Sequence, residues 1–241
     1  MKNRLTIKLV RAFLLTIMLI LVICGIKFKR QLDVNLYIKA AHFSYPGVTK
    51  IQSTFTQDEP YRHNKPEGIV IHETTTTTPA RKEAETFLKN WRKREAYVHA
   101  FVDQDAVVQI HTPTRAVWGA GRPANRRYIQ VELCEGRNFN EFARSVNNDA
   151  IYVAYLLHKY QLKPSWAQPT QKNWTLNKKK SAKQDVMDGK SGGLGTIWSH
   201  HQVTHYLGNT THTDPDGYFA KYGYSMQQFY QLICWHYDNQ R

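Results

Sequence analysis

Gly68-Ile69-Val70-Ile71-His72 is a short apolar run with three consecutive β-branched residues, and it ends on an imidazole. A run of this length and composition predicts a buried strand. The end of such a strand is a place where a side chain can face a cleft, and His72 stands there. Five threonines at positions 74–78 then lead to Pro79, and Thr78 with Pro79 reads as a helix N-cap followed by the first helical residue. Beyond them Ala84, Phe87, Leu88 and Trp91 recur at i, i+3, i+4 and i+7, one apolar stripe on a helix that faces a core.

Further along, two apolar segments at 98–102 and 106–110 flank a polar turn at 103–105, which predicts a hairpin. Tyr128 to Leu133 reads as another strand, with Gln130 and Glu132 on one face. Phe142, Val146, Val153, Leu156, Leu157 and Tyr160 mark a long helix. Residues 163–196 turn polar and contain Lys178-Lys179-Lys180 and Gly192-Gly193, so a long loop is expected, with the lysine run as a solvated face. A capping box, Ser225 with Gln228, opens the last helix, whose stripe is Met226, Phe229, Tyr230, Ile233 and Tyr237. Strands interspersed with helices give an α/β domain with a central mixed sheet flanked by helices. Periodicity alone does not order the strands.

Composition narrows the class. With 41% hydrophobic and 12% aromatic residues over 241 positions, wholesale disorder is excluded. Three cysteines make no disulfide scaffold, and the 13 glycines fall in no period. Cys134 and Cys234 could pair in an oxidising compartment, but two ordinary buried thiols is the plainer expectation. Of the net charge of +14, half comes from residues 1–30, which hold seven Lys or Arg and no acid. There, residues 12–26 are apolar except for Thr16 and Gly25, with basic residues on both sides. This is the layout of a secretory leader, lengthened by snorkelling cations. No small-x-small cleavage site follows, so an uncleaved N-terminal membrane helix is expected, with secretion if it is cleaved. Ile23 is too bulky for a lipidation box at Cys24. The expected organisation is an anchor at 1–30, a stalk at 31–66 carrying Pro46, Pro60 and Pro66, and a folded domain at 67–241 outside the cell membrane. The remaining positive charge suits anionic cell-wall polymers or lipid headgroups. Nucleic acid is not expected, because basic and aromatic residues do not interleave.

Chemistry concentrates in Trp198-Ser199-His200-His201-Gln202-Val203-Thr204-His205 and Thr211-His212-Thr213-Asp214-Pro215. Catalytic zinc takes three ligands from His and Asp or Glu and keeps a fourth position for water. His201 and His205 have the i, i+4 spacing of a zinc-protease helix, but Gln202 stands where the general-base Glu belongs. An amide cannot take up the proton, so a metallopeptidase acting on protein is disfavoured.

Together these segments resemble the zinc-dependent N-acetylmuramoyl-L-alanine amidases of type 2, relatives of the peptidoglycan recognition proteins, over roughly residues 67–235. Gly68-Ile69-Val70-Ile71-His72-Glu73-Thr74 is similar to the family's first ligand strand, and Val98-His99-Ala100-Phe101-Val102-Asp103 to its hairpin. Trp118-Gly119-Ala120-Gly121 is similar to the segment after it, Tyr128-Ile129-Gln130-Val131-Glu132 to the strand with the catalytic Glu, and residues 198–219 to the second ligand block. The resemblance implies one zinc ion in a cleft, held by His72, His200 and Asp214. His201 takes the place of His200 if the alignment moves by one residue. It further implies that Glu132 activates water, that His212 stabilises the oxyanion, and that His99, Trp118 and Arg122 contact glycan or peptide. His111, His201 and His205 are left as structural residues. Asn209-Thr210-Thr211 replaces a more glycine-rich stretch, which leaves the shape of that turn open. The implied reaction is hydrolysis of the amide between the muramic lactyl group and L-Ala of the peptidoglycan stem, by a monomer. The other class to weigh is a module that binds peptidoglycan without cutting it; loss of a ligand would mark it, and all three are present.

Overall fold

A computed structural model of the chain describes residues 33–167 and 195–239. It begins with helix α1 (Val34–Ala41), strands β1 (Val48–Lys50) and β2 (Gly68–Glu73) and helix α2 (Ala80–Arg94). The hairpin strands β3 (Ala100–Val102) and β4 (Val107–Gln109) follow, then the short helix α3 (Arg122–Asn125) and strand β5 (Tyr128–Leu133). The long helix α4 (Phe139–Lys159) and strand β6 (Ile197–Ser199) come next. Last are α5 (His200–Gln202), continued by a π-helical turn over Val203–Leu207, then α6 (Asp216–Lys221) and α7 (Met226–Asn239).

The six strands form one mixed sheet in the order β1-β4-β3-β5-β2-β6. Only the expected hairpin, β3 with β4, is antiparallel. Side-chain alternation then decides the two faces. Ile69, Ile71, Ile129, Val131 and Leu133 turn to one side and join residues of α1, α4 and α7 in the main core. Phe101 and Val108 turn to the other side and pack against Ala84, Phe87 and Trp91 of α2. Ile69, Val70 and Ile71 are fully buried, each contributing about 1.5–3 kcal/mol of apolar burial. His72 and Glu132 therefore belong to the α2 side, away from the main core.

Gly68 is required by proximity. A Cβ there would lie 2.3 Å from the carbonyl oxygen of Thr196, which accepts the Ile69 N–H at 2.7 Å. Glycine lets β6 approach β2 closely.

Helix starts agree with the sequence in part. Ser225 Oγ accepts the Gln228 N–H at 3.2 Å at the start of α7, as expected. At α2, however, Thr78 is not the cap. Pro79 precedes the first helical residue, Ala80, and the Ala80 N–H is taken by Asp103 Oδ2 at 2.7 Å. The other oxygen, Oδ1, accepts the Asp105 and Ala106 N–H groups, both at 2.7 Å, so one carboxylate closes the hairpin turn and caps α2. A cap supplied from 23 residues away has no local signature.

The stalk expected at 31–66 is corrected for residues 34–66. Within that stretch α1 packs on α4 and α7, β1 extends the sheet beside β4, and Tyr61 is buried in the main core. Val34, Ile38, Phe55 and Tyr61 are the inserted residues; they are too sparse to create a period, and the prolines between them look like a linker. The anchor expected at 1–30, Lys178-Lys179-Lys180 and Gly192-Gly193 lie outside the described residues. Among the described residues no helix is long and apolar enough to cross a membrane. Cys134 and Cys234 are free thiols, the first buried and the second half-buried.

Candidate metal centre

Parallel pairing of β2 with β5 sets His72 directly opposite Glu132, so the two side chains project from the same face. On the other edge of β2, Ile71 pairs with Ser199, and His200 is the next residue. There the chain turns from strand into helix through a reciprocal cap. Ser199 Oγ accepts the Gln202 N–H at 3.0 Å, and Gln202 Oε1 accepts the Ser199 N–H at 2.8 Å. Gln202 is thus a capping residue, which accounts for an amide at the position where a protease would carry a base. The Glu73 N–H donates to Asp214 Oδ2 at 3.1 Å, and the Asp214 carbonyl accepts the His201 N–H at 3.0 Å. These bonds hold the Asp214 carboxylate at the end of β2.

His72 Nδ1 lies 2.9 Å from His200 Nδ1, His200 Nδ1 3.2 Å from Asp214 Oδ1, and His72 Nδ1 3.7 Å from Asp214 Oδ2. Zinc bonds of about 2.0–2.1 Å in tetrahedral array require ligand separations of roughly 3.3 Å, and the three distances bracket that value. His200 Nε2 meets Thr210 Oγ1 at 2.9 Å, which fixes the ring and leaves Nδ1 for an ion. Both imidazoles are almost fully buried, and His72 Nε2 has no hydrogen-bond partner. Among the described residues this is the one group of three such donors able to share a cation. The donor set of two imidazoles and a carboxylate fits zinc.

Electrostatics agree with a cation site. Burial first, then the adjacent His200, pushes the His72 pKa down to about 3, keeping the imidazole neutral as a ligand must be. Burial raises Asp214, but its hydrogen bond with His200 and the two imidazoles beside it prevail and hold it at about 2. Burial, reinforced by Asp214 and Glu73, pushes Glu132 well above the usual carboxylate range, and its Oε2 is buried without a partner. A divalent cation in the triangle favours the ionised form of Glu132.

His212 stands at the mouth. Its Nδ1 is 3.4 Å from Asp214 Oδ1 and its ring stacks on His200 with centroids 4.5 Å apart. Three adjoining cavities of about 610, 370 and 410 Å³ share His212 in their walls, and the last contains His72, Glu132, His200 and Asp214. Trp118 lines the largest and packs edge-on against Phe55. Arg122 is exposed beside Gly121, which lines that cavity with φ of 80°.

His99 is a correction: it does not face the cleft. It is fully buried, its Nδ1 accepts the Gln130 N–H at 3.0 Å, and its Nε2 lies 2.8 Å from the Arg115 carbonyl and 3.1 Å from the Tyr61 hydroxyl. The resemblance of its segment was the only cue, and it cannot separate a cleft from a polar core. His201 pairs with Asp216 Oδ2 at 2.6 Å, outside the triangle, and His205 packs on the Tyr206 ring. His111 meets Ser53 Oγ at 2.9 Å. Thr210 went unread in the sequence because it gains its role only through the fold of the 208–214 loop.

The family described as N-acetylmuramoyl-L-alanine amidase matches residues 62–217. Protein Ami of Listeria monocytogenes is 43% identical over 204 residues, covering 83% of this chain and 20% of Ami. The bifunctional autolysin of Staphylococcus aureus is 34% identical over 211 residues, covering 86% of this chain and 15% of the autolysin. The chain therefore spans a fifth or less of the length of these relatives. The crystal structure of Staphylococcus aureus hydrolase AmiA in complex with its ligand is similar at a TM-score of 0.73 and 32% identity, over 86% of this chain and 91% of that one. PlyL, at 19% identity and a TM-score of 0.54 over 78% of this chain and 96% of that one, shares the fold. By its sequence, its mixed sheet and its matched segments, the chain belongs to the N-acetylmuramoyl-L-alanine amidase family.

Proposed function

We propose that the chain hydrolyses peptidoglycan at the amide joining N-acetylmuramic acid to L-alanine, with one zinc ion held by His72, His200 and Asp214. The observation that carries this reading is the register that sets Glu132 opposite His72, placing an unpartnered carboxyl beside the donor triangle. Held by those residues, zinc would supply Lewis acidity for the carbonyl and would lower the pKa of water to about 7. Glu132 takes a proton from the attacking water and delivers it to the departing amine nitrogen. The hydroxyl joins the lactyl carbonyl carbon and the C–N bond breaks, leaving a lactyl carboxylate and a free L-Ala amino terminus. His212, exposed at the mouth, donates to the developing oxyanion. Trp118 contributes a flat apolar wall, and Arg122 a rim cation, for glycan or peptide.

A module that only binds the wall has no use for a buried carboxyl at Glu132, so hydrolysis is favoured over recognition alone. The N-terminal segment at 1–30 would hold the chain at the cell membrane as a monomer, with the catalytic part outside and its basic surface toward anionic wall polymers. The test is incubation of the full chain with purified wall, with and without chelator. Lactyl carboxyls and L-Ala amino termini should appear together and only without chelator; reducing sugar ends in their place would make the chain a glycosidase.

A further inference from the structure

Helix α2 buries Phe87 and Trp91 on its inward stripe, and Arg94 lies seven and three residues further along the same stripe. Lys89, Arg92 and Lys93 fall between and are exposed, with the Arg92 guanidinium over the outer Trp91 ring. Arg94, also exposed, lays its guanidinium over Phe87, 4.8 Å from the ring centroid, and lines the cavity that holds His72, Glu132, His200 and Asp214. Arg94 makes no ion pair with any described residue. Its charge is favoured by the helix C-terminus, since α2 ends at Glu95 in the left-handed conformation with φ of 52°. Of the other charged groups of the cavity, Glu132 feels the Arg94 charge but has no hydrogen-bond partner, and the rest are occupied. Asp214 meets both histidines, Glu83 lies 3.2 Å from Thr76 Oγ1, and Glu73 accepts the Thr75 N–H.

Glu95 and Ala96, next to Arg94, line the neighbouring 610 Å³ cavity, whereas Glu73 lines the 370 Å³ cavity. Arg94 thus lies toward the 610 Å³ cavity, beside the acid Glu95, and Glu73 toward the 370 Å³ one. A guanidinium with an open fork of donors, backed by an aromatic ring, is suited to bidentate binding of a carboxylate.

We propose that Arg94 is a specificity-determining residue that binds a free carboxylate on the peptide arm of the substrate. This rests on the reading of the cleft as a peptidoglycan amidase site. The first carboxylate beyond the scissile amide belongs to the second stem residue, because that of L-Ala is tied up in a peptide bond. Arg94 contacts substrate but not the reacting atoms, so its effect falls on binding.

The experiment uses two synthetic stem tripeptides that differ only at the second residue, a side-chain-linked glutamate carrying either a free α-carboxylate or its carboxamide. Equilibrium binding to the zinc-loaded full chain is measured for wild type, Arg94→Ala and Arg94→Lys. Wild type should prefer the carboxylate by about tenfold, the scale of one charge-assisted contact. Arg94→Ala should prefer it by less than about twofold, and Arg94→Lys should keep part of the preference. Equal affinity of wild type for the two peptides, or a preference that survives in Arg94→Ala, overturns the proposal. Thermal unfolding and zinc content of each variant separate loss of the contact from loss of the fold. Peptide binding does not require turnover, so a chain that discriminates between the peptides but cuts no wall would contradict the amidase reading and leave the Arg94 contact standing.

Discussion

Gly68→Ala tests whether strand spacing sets the metal triangle. The added Cβ would stand 2.3 Å from the Thr196 carbonyl, about 1.1 Å inside the 3.4 Å at which ordinary contact begins. Both partners are backbone, so no side chain can swing aside, and β6 must move off β2 by roughly 1 Å. β2 carries His72 and β6 leads into His200, and their Nδ1 atoms are 2.9 Å apart. Metal sites tolerate ligand displacements of only about 0.2 Å, so the shift exceeds the tolerance several-fold. The steric cost, about 1–3 kcal/mol, is small beside a typical stability of about 5–15 kcal/mol, and the chain stays folded. The expected result is zinc affinity weakened by about 10- to 100-fold, with the unfolding midpoint lowered by roughly 2–12 °C. Competition against a chromophoric chelator and thermal melts of the zinc-free chain measure the two. Zinc affinity within twofold of wild type, alongside a lowered midpoint, would refute the reasoning that β2–β6 spacing positions the ligands.

Glu132→Gln should keep zinc and lower kcat by about 10²–10⁴-fold; undiminished release of stem peptides removes Glu132 from the mechanism. His200→Ala should lose zinc, while His201→Ala, whose ring is tied to Asp216, should retain it; the reverse metal content reassigns the ligand. Stability should depend on pH through buried groups that do not face the cleft. Burial pushes the pKa of His99 to about 3 and of His236 to about 4, from an ordinary 6.5. Below pH 6.5 the unfolded chain binds protons that the folded one refuses, so stability falls on acidification by about 1.4 kcal/mol per pH unit per group. Asp149 has the opposite sign. It is fully buried, neither carboxyl oxygen has a partner, and burial holds its pKa well above 3.8. Its contribution is lost as pH rises from 3.8 toward the folded value, so the advantage of Asp149→Asn over wild type in urea unfolding should widen with pH. A gap that stays constant with pH shows that Asp149 is not protonated in the fold.

Much of the fold was legible because its strongest elements advertise themselves. The run ending at His72 and the stripes of α2, α4 and α7 each bury a periodic face, and periodicity is a local property. Residues 34–66 were not legible, since Val34, Ile38, Phe55 and Tyr61 enter the core singly from polar surroundings. Of the site, His72, Glu132, His200 and Asp214 converge as the matched segments imply, because strand ends and the β6–α5 turn fix them. His99 shows the limit of that reasoning. A histidine beside a cleft and one satisfied inside the sheet have the same sequence pattern, and only the contacts with Gln130, Arg115 and Tyr61 tell them apart. Thr210 and Arg94 were silent for a related reason: each acquires its role from where a loop or helix end comes to rest.

X-ray absorption at the zinc edge on the zinc-loaded full chain tests the central claim most directly. The account predicts one ion per chain with two imidazole nitrogens at about 2.0–2.1 Å, oxygen in the remaining positions and no sulfur, and loss of that signal in His72→Ala. A sulfur shell at about 2.3 Å, or an undisturbed imidazole signal in His72→Ala, would contradict it.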